Sequence, residues 1–258
     1  MREDLSHAFS GHDANYTDIR IEESESTHLT YRGQELEEVS RVTSRGGSIR
    51  AMVKGGWAFA SFNDTKSLRE KVAGVVSQAR LSSREKSDFT PPEPIDDVVE
   101  KDPTGKNPAS LGLGAKKDLL DEYNDIILST PEIMTSVVNY GDAVRKTVFA
   151  SSPGSYIEQS REDVIFQFMA VARNGGDVQQ AGLSLGSRDD FSPMEGLHQQ
   201  VSETARRAVE LLHAPTIKGG EFTVVLDPVL AGVFVHEAFG HLSESDFVYE
   251  DQRMQDIM

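Results

Sequence analysis

The stretch Phe222-Thr-Val-Val-Leu-Asp-Pro-Val-Leu-Ala-Gly-Val-Phe-Val-His-Glu-Ala-Phe-Gly-His241 ends an apolar run with two imidazoles and a carboxylate inside six residues. Neutral imidazole is the commonest zinc ligand, and a Glu that does not itself ligate is the usual general base for water activated by the ion. The familiar H-E-x-x-H spacing sets its ligands at i and i+4 on one helix face. Here the second His, His241, stands at i+5 from His236. That is about 140° round an ideal helix, against about 40° for i+4. Both nitrogens must still come to about 2.0–2.1 Å from one ion, so the backbone has to absorb a residue. A single i→i+5 turn would return His241 to the face of His236. Gly240 is expected to supply the backbone freedom for that turn or for an early helix end. The plainer alternative is that both are satisfied core or cap histidines, although the chain has only seven His in 258 residues.

Working outward, Asp227-Pro228 reads as the N-cap and first residue of the motif helix. Before it, Lys218-Gly219-Gly220 turns into a strand expected at Glu221–Leu226. The helix before that begins at Ser192-Pro193-Met194-Glu195 and carries an apolar stripe of Val201, Ala205, Ala208, Val209 and Leu212. Its His198 and His213 lack partners at ligand spacing and are read as surface residues.

The rest of the chain gives an α+β pattern of antiparallel strand meanders with packed helices. Thr17–Glu23, His28–Tyr31, Glu35–Ser44, Ser48–Val53 and Trp57–Phe62 read as strands, with Arg32-Gly33, Gly46-Gly47 and Gly55-Gly56 as their punctuation. Asn63-Asp64-Thr65 caps a helix to about Leu81 with Leu68, Val72, Val75, Val76 and Ala79 on one face. The Gly pairs are hairpin turns rather than phosphate loops, since no G-x-x-x-x-G-K-[ST] follows a strand. From Ser82 to about Gly114, Pro91, Pro92, Pro94, Asp96, Asp97, Pro103, Gly105 and Pro108 break the periodicity and suggest a polar linker. Ala115–Ser129 is then a helix with Leu119, Leu120, Tyr123, Ile126 and Ile127 inward. A second meander follows at Ile133–Tyr140, Val144–Ser151, Ser155–Arg161 and Asp163–Arg173. The expected divisions are an N-terminal α+β subdomain at 1–84, an acidic Pro-rich linker at 85–114, a second α+β subdomain at 115–215 and the motif-bearing segment at 216–258.

Composition narrows the function classes. The formal charge of −16 argues against a nucleic-acid or anionic-membrane surface, which would need clustered Lys and Arg. No run of 18 apolar residues and no signal-peptide pattern is present. With no Cys in the sequence disulfides are excluded, and an intracellular setting is the default expectation.

The wider string His236-Glu-Ala-Phe-Gly-His-Leu-Ser-Glu-Ser-Asp-Phe-Val-Tyr-Glu250 resembles the signature of the TldD/PmbA metallopeptidases, in the TldD-type subunit that carries the motif. The resemblance runs back through Phe222–Leu226, the preceding helix, and the Tyr31–Glu38 and Gly46–Ala51 regions. It implies a TldD/PmbA N-terminal-like fold ending in the start of the C-terminal domain, and a cytoplasmic location. It also implies zinc (Zn2+) on His236 and His241, Glu237 as general base, and Glu244 and Asp246 as acceptors for the outer imidazole N–H groups. The expected reaction is hydrolysis of unfolded or small peptides, in a closed chamber formed with a motif-less TldE/PmbA-like sister subunit or a second copy. Peptide-antibiotic precursors and unfolded antitoxin-like proteins are the implied substrates. The family's third metal ligand is a Cys much further along, which this sequence lacks, so the 258-residue chain is expected to be an incomplete, inactive fragment. Two alternatives stay open: a non-catalytic scaffold subunit, and a metal-binding regulatory module.

Overall fold

Alternation of side chains between the two faces of long extended segments builds this molecule. The structure, a computed structural model, describes residues 1–83, 89–99 and 105–257. Six strands run antiparallel: β1 (Tyr16–Arg32), β2 (Glu35–Val53), β3 (Gly56–Phe62), β5 (Ile133–Ser151), β6 (Tyr156–Asn174) and β7 (Asp177–Arg188). Their order is β3-β2-β1-β5-β6, with β7 on the far side of β6 and the short β4 (Asp96–Val99) parallel to the start of β6.

The helices of this region share one face of the sheet. Leu5 and Ala8 of α1 (Arg2–Phe9) and Val72, Val75 and Val76 of α2 (Leu68–Leu81) pack with Ile19, Ile21 and Ile49. Leu120, Tyr123 and Ile127 of α3 (Leu113–Leu128) join Val201, Ala205 and Ala208 of α4 (His198–His213) against Leu29, Val138, Phe166 and Phe168. These inward residues are odd-numbered on β1 and even-numbered on β5 and β6, as a period of two requires. The fold is therefore α+β, antiparallel meanders with packed helices. All five apolar residues expected on the inner face of α2 are buried.

Several local expectations are corrected. Gly46-Gly47 is not a turn, because β2 runs straight through it, opposite β1 and β3. A Cβ on Gly47 would lie 2.3 Å from the Phe62 ring and 2.6 Å from the Arg20 carbonyl oxygen, so the glycine serves close approach rather than reversal. Strands read as pairs of short pieces are continuous in β1, β5 and β6, since each polar middle is held by ladders. Helix α2 starts at Leu68 after Ser67 in the left-handed region, and Asp64 accepts the Lys66 N–H instead of capping the helix. β7 and α1 were not expected. Nor was β4, which covers the first residues of β6 where β7 does not reach, as an unpaired edge favours. Of the polar 85–114 stretch, residues 85–88 and 100–104, Pro103 among them, lie outside the described residues. The strands on either side of it share one sheet through the β1–β5 pairing.

Met1–Ala214 forms one compact unit and Pro215–Met258 a second. In the second, Glu221–Leu226 is not a strand. Its β-branched side chains suit a sheet, but among the described residues no neighbouring strand supplies a ladder, and Val225 is 98% exposed. Helix α5 (Pro228–Val235) follows, then the motif turn, α6 (Ser245–Glu250) and α7 (Gln252–Ile257). No helix among the described residues is long and apolar enough to cross a membrane.

Candidate metal centre

Asp227 starts the local geometry. Its side chain accepts the Leu230 N–H at 2.8 Å with Pro228 in the first turn, the cap expected of Asp-Pro. Eight residues of α5 then deliver the chain to His236, whose N–H reaches the carbonyls of Gly232 and Val233. From His236 to Gly240 the backbone widens into a π turn, and the His241 N–H bonds to the His236 carbonyl. This i→i+5 bond takes up the extra residue of the H-E-x-x-x-H spacing. The two imidazoles end with ring centroids 4.5 Å apart and planes at 73°.

Gly240 does not work as expected. It sits at φ −57, ψ −55, ordinary right-handed helix, and a Cβ there would meet nothing closer than 3.8 Å. The π turn therefore forms without left-handed backbone, and α5 does not end early to make it.

One donor atom from each of His236, Glu237 and His241 can be chosen so that all lie within 4.8 Å of one another. No other group of three His, Cys, Asp or Glu among the described residues does this. The donor chemistry fits a divalent transition metal, since imidazole suits zinc, copper, iron and nickel. Glu244 lies 2.6 Å from Nδ1 of His241, and a carboxylate there fixes the ring tautomer so that Nε2 is the free donor. Asp246 accepts the Phe247 N–H at 2.9 Å through one oxygen. His198 and His213 bond Glu122 at 2.7 Å and Glu132 at 3.0 Å, each on the exposed surface of the first unit.

One polar constellation was not anticipated. Lys116 and Asp142 form a buried ion pair at 2.6 Å, with side chains 4% and 5% exposed, and the Tyr140 hydroxyl donates to the same Asp142 oxygen. Burial first, then Asp142, raises the Tyr140 phenol well above its ordinary value. The signal was available: Lys116 stands in phase with Leu120, Tyr123 and Ile127 on the inner face of α3.

Residues 17–82 match the family profile described as PmbA/TldA metallopeptidase domain 1, and residues 106–212 match the PmbA/TldA metallopeptidase central domain. A metalloprotease of Synechocystis is 38% identical over 246 residues, covering 95% of this chain and 53% of that one. A protein named zinc metalloprotease TldD homolog, from Saccharolobus solfataricus, is 23% identical over 234 residues, 90% of this chain and 51% of its own. The crystal structure of TldE from Thermococcus kodakarensis superposes with a TM-score of 0.58 at 16% identity, over 83% of this chain and 47% of that one. The chain thus spans about half the length of the curated relatives it matches.

Proposed function

The chain belongs to the PmbA/TldD metallopeptidase family, and on that premise we propose that it carries the metal-binding motif of a zinc-dependent peptidase acting on unfolded or small peptides. The gathering of His236, Glu237 and His241 within 4.8 Å through one π turn is the observation behind this reading. His236 and His241 would hold the ion, which when bound supplies Lewis acidity toward water and the peptide carbonyl. Glu237, beside the first ligand, takes a proton from the attacking water and returns it to the departing amine. Glu244 holds the His241 ring by its Nδ1 side. Asp246, whose Oδ1 accepts the Phe247 N–H, would offer its other oxygen to an imidazole.

A catalytic zinc takes three protein donors. With no Cys among these 258 residues, the third is proposed to be a Cys from further polypeptide, as the resemblance implies. This chain alone is accordingly proposed to bind zinc weakly and to lack turnover. Helix α5 supports completion by other polypeptide: Val229 is 78%, Phe234 61% and Val235 58% exposed, whereas a helix apolar all round is ordinarily buried. A motif-less sister chain of the TldE kind, or a second copy, in the cytoplasm is the proposed assembly. The likeness to the TldE structure supports it at the level of fold. The boundaries 1–84, 85–114, 115–215 and 216–258 are kept as proposed divisions of family domains.

Metal stoichiometry after dialysis tests the ligands. In a zinc-loaded form of the protein that includes the proposed third ligand, His236→Ala and His241→Ala should each lose the zinc that the parent retains, and His213→Ala should keep it. Equal loss in all three would mean that the metal site is elsewhere or that the fold is generally fragile.

A further inference from the structure

The four helices of Met1–Ala214 leave the opposite face of the sheet to solvent, and that face gathers positive charge against the sign of the molecule. Arg145 on β5 stands directly opposite Arg161 on β6. Like charges in that position destabilise a strand pair, so the pairing is not explained by the needs of the sheet. Four residues along the same strands, Phe149 stands opposite Ile157, and Arg20 of β1 opposite Phe149. With Glu22 as the one acidic side chain lining it, these residues surround a depression of about 400 Å³. Arg161 meets Asp163 at 3.2 Å, and the Arg20 guanidinium lies 5.7 Å from the centre of the Phe149 ring. Among the described residues no carboxylate is within ion-pair distance of Arg145. Three arginines thus converge on one concavity of a chain whose formal charge is −16.

We infer that this face binds acidic segments of extended polypeptide. The planar fork of Arg matches a carboxylate bidentately and is less costly to desolvate than an ammonium. The Arg145–Arg161 row and the Phe149–Ile157 row are four residues apart, about 13 Å along a strand. An extended peptide lying along β5 and β6 spans the same distance in four of its own residues. It would place a Glu or Asp between Arg145 and Arg161 and an apolar side chain on Phe149 and Ile157, with Arg20 available to a second carboxylate. Binding here requires neither the metal nor hydrolysis, so it stands or falls apart from the proposed peptidase chemistry.

The test is fluorescence anisotropy on the 258-residue chain with a fluorescein-labelled peptide in which two glutamates precede two leucines by four residues. A matched peptide has Gln for Glu. The glutamate peptide should bind at least roughly ten-fold more tightly, the scale of one charge-assisted hydrogen bond. Arg145→Gln should remove most of that preference. Lys146→Gln, the same change of charge on the neighbouring side chain that points to the other face of β5, should leave it intact. Because Arg145→Gln relieves a like-charge pair, its thermal midpoint should equal or exceed that of the parent, which separates lost binding from lost folding. Equal affinity for the two peptides would overturn the inference. So would equal weakening by Lys146→Gln, or displacement of the peptide by inorganic pyrophosphate or by RNA at concentrations where a glutamate competitor fails.

Discussion

Replacing Lys116 with Met should destabilise the first unit severely, and the size of the loss follows from what the ammonium leaves behind. Its Nζ is 2.6 Å from Asp142, and the two side chains are 4% and 5% exposed. Methionine keeps most of the length and apolar stem of lysine, so packing against the Tyr140 ring, 5.5 Å from Nζ, is largely preserved. What changes is electrostatic. The Asp142 carboxylate stays buried, still accepting from the Tyr140 hydroxyl. Breaking one side of a buried pair costs about 3–5 kcal/mol. For a domain of 150–250 residues, each kcal/mol moves the midpoint by about 2–4 °C, so a fall of roughly 6–20 °C is expected in a thermal melt followed by circular dichroism. Lys116→Met combined with Asp142→Asn removes the stranded charge while leaving an amide oxygen for Tyr140, and should recover at least half of the loss. A single-variant loss below about 1 kcal/mol, the range of an exposed pair, would show that water reaches these groups and that the reasoning from burial is wrong.

Deleting Ala238 turns the motif into H-E-x-x-H, where an ordinary α-helix sets the ligands about 40° apart. In a zinc-loaded form that includes the proposed third ligand, zinc retention should survive the deletion, whereas inserting a second Ala beside Ala238 should abolish it; loss in both would deny the π turn its positioning role. In a hydrolytically competent, metal-loaded form of the protein, Glu237→Gln should keep zinc and lose about 10²–10⁴-fold in peptide turnover. Loss of zinc in that variant would instead make Glu237 a ligand. The Tyr31 phenol is pushed up to about 12 by burial and then by Asp121, against about 10 in an unfolded chain. Between those values the folded state holds a proton that the unfolded state releases, so stability falls as pH rises through that window. Urea titrations of Tyr31→Phe should show a shallower decline above pH ~10 than the parent, and an identical slope would contradict the assigned environment.

What the sequence made legible was whatever its own neighbours decide. The inner face of α2 follows from a period of 3.6 in Leu68, Val72, Val75, Val76 and Ala79, all buried. The Asp227 cap and the i→i+5 turn follow from adjacent residues and the need to bring two imidazoles together. Strand continuity was less legible because distant partners decide it. Glu23–Thr27 is polar and unremarkable for a strand, yet β2 on one side and β5 on the other both pair it; tertiary pairing outweighs weak β-propensity. Gly46-Gly47 misled for the same reason, since the Phe62 ring that requires the missing Cβ of Gly47 comes from β3. Residues 222–226 show the converse: despite strong propensity they join no ladder among the described residues. The hairpin at Asn174-Gly175-Gly176-Asp177, with Gly175 at φ 58, was readable from its turn residues. The alternation of Ala181, Leu183 and Leu185 in β7 also carried the signal.

The two kinds of encoding bear differently on function. The ligand geometry is written in the backbone from Asp227 to Glu244: a cap, one helix, one π turn and a carboxylate on the second ring. The hydrogen bonds that shape it are local to that segment. The reactivity of such a site needs more, because activated water and a polarised carbonyl gain from a dry, shaped surrounding that these residues do not build. His241 is 46% and Glu244 48% exposed, and Phe239 beside them 61%. The apolar side chains of α5 are open in the same way. A locally assembled metal motif flanked by uncovered apolar surface can acquire its ligand set first and its low-dielectric enclosure only on meeting further polypeptide. Under the proposed function, such an order would keep hydrolysis silent until assembly. On the proposed reading it would also account for an exposed Glu237 beside His236 and His241.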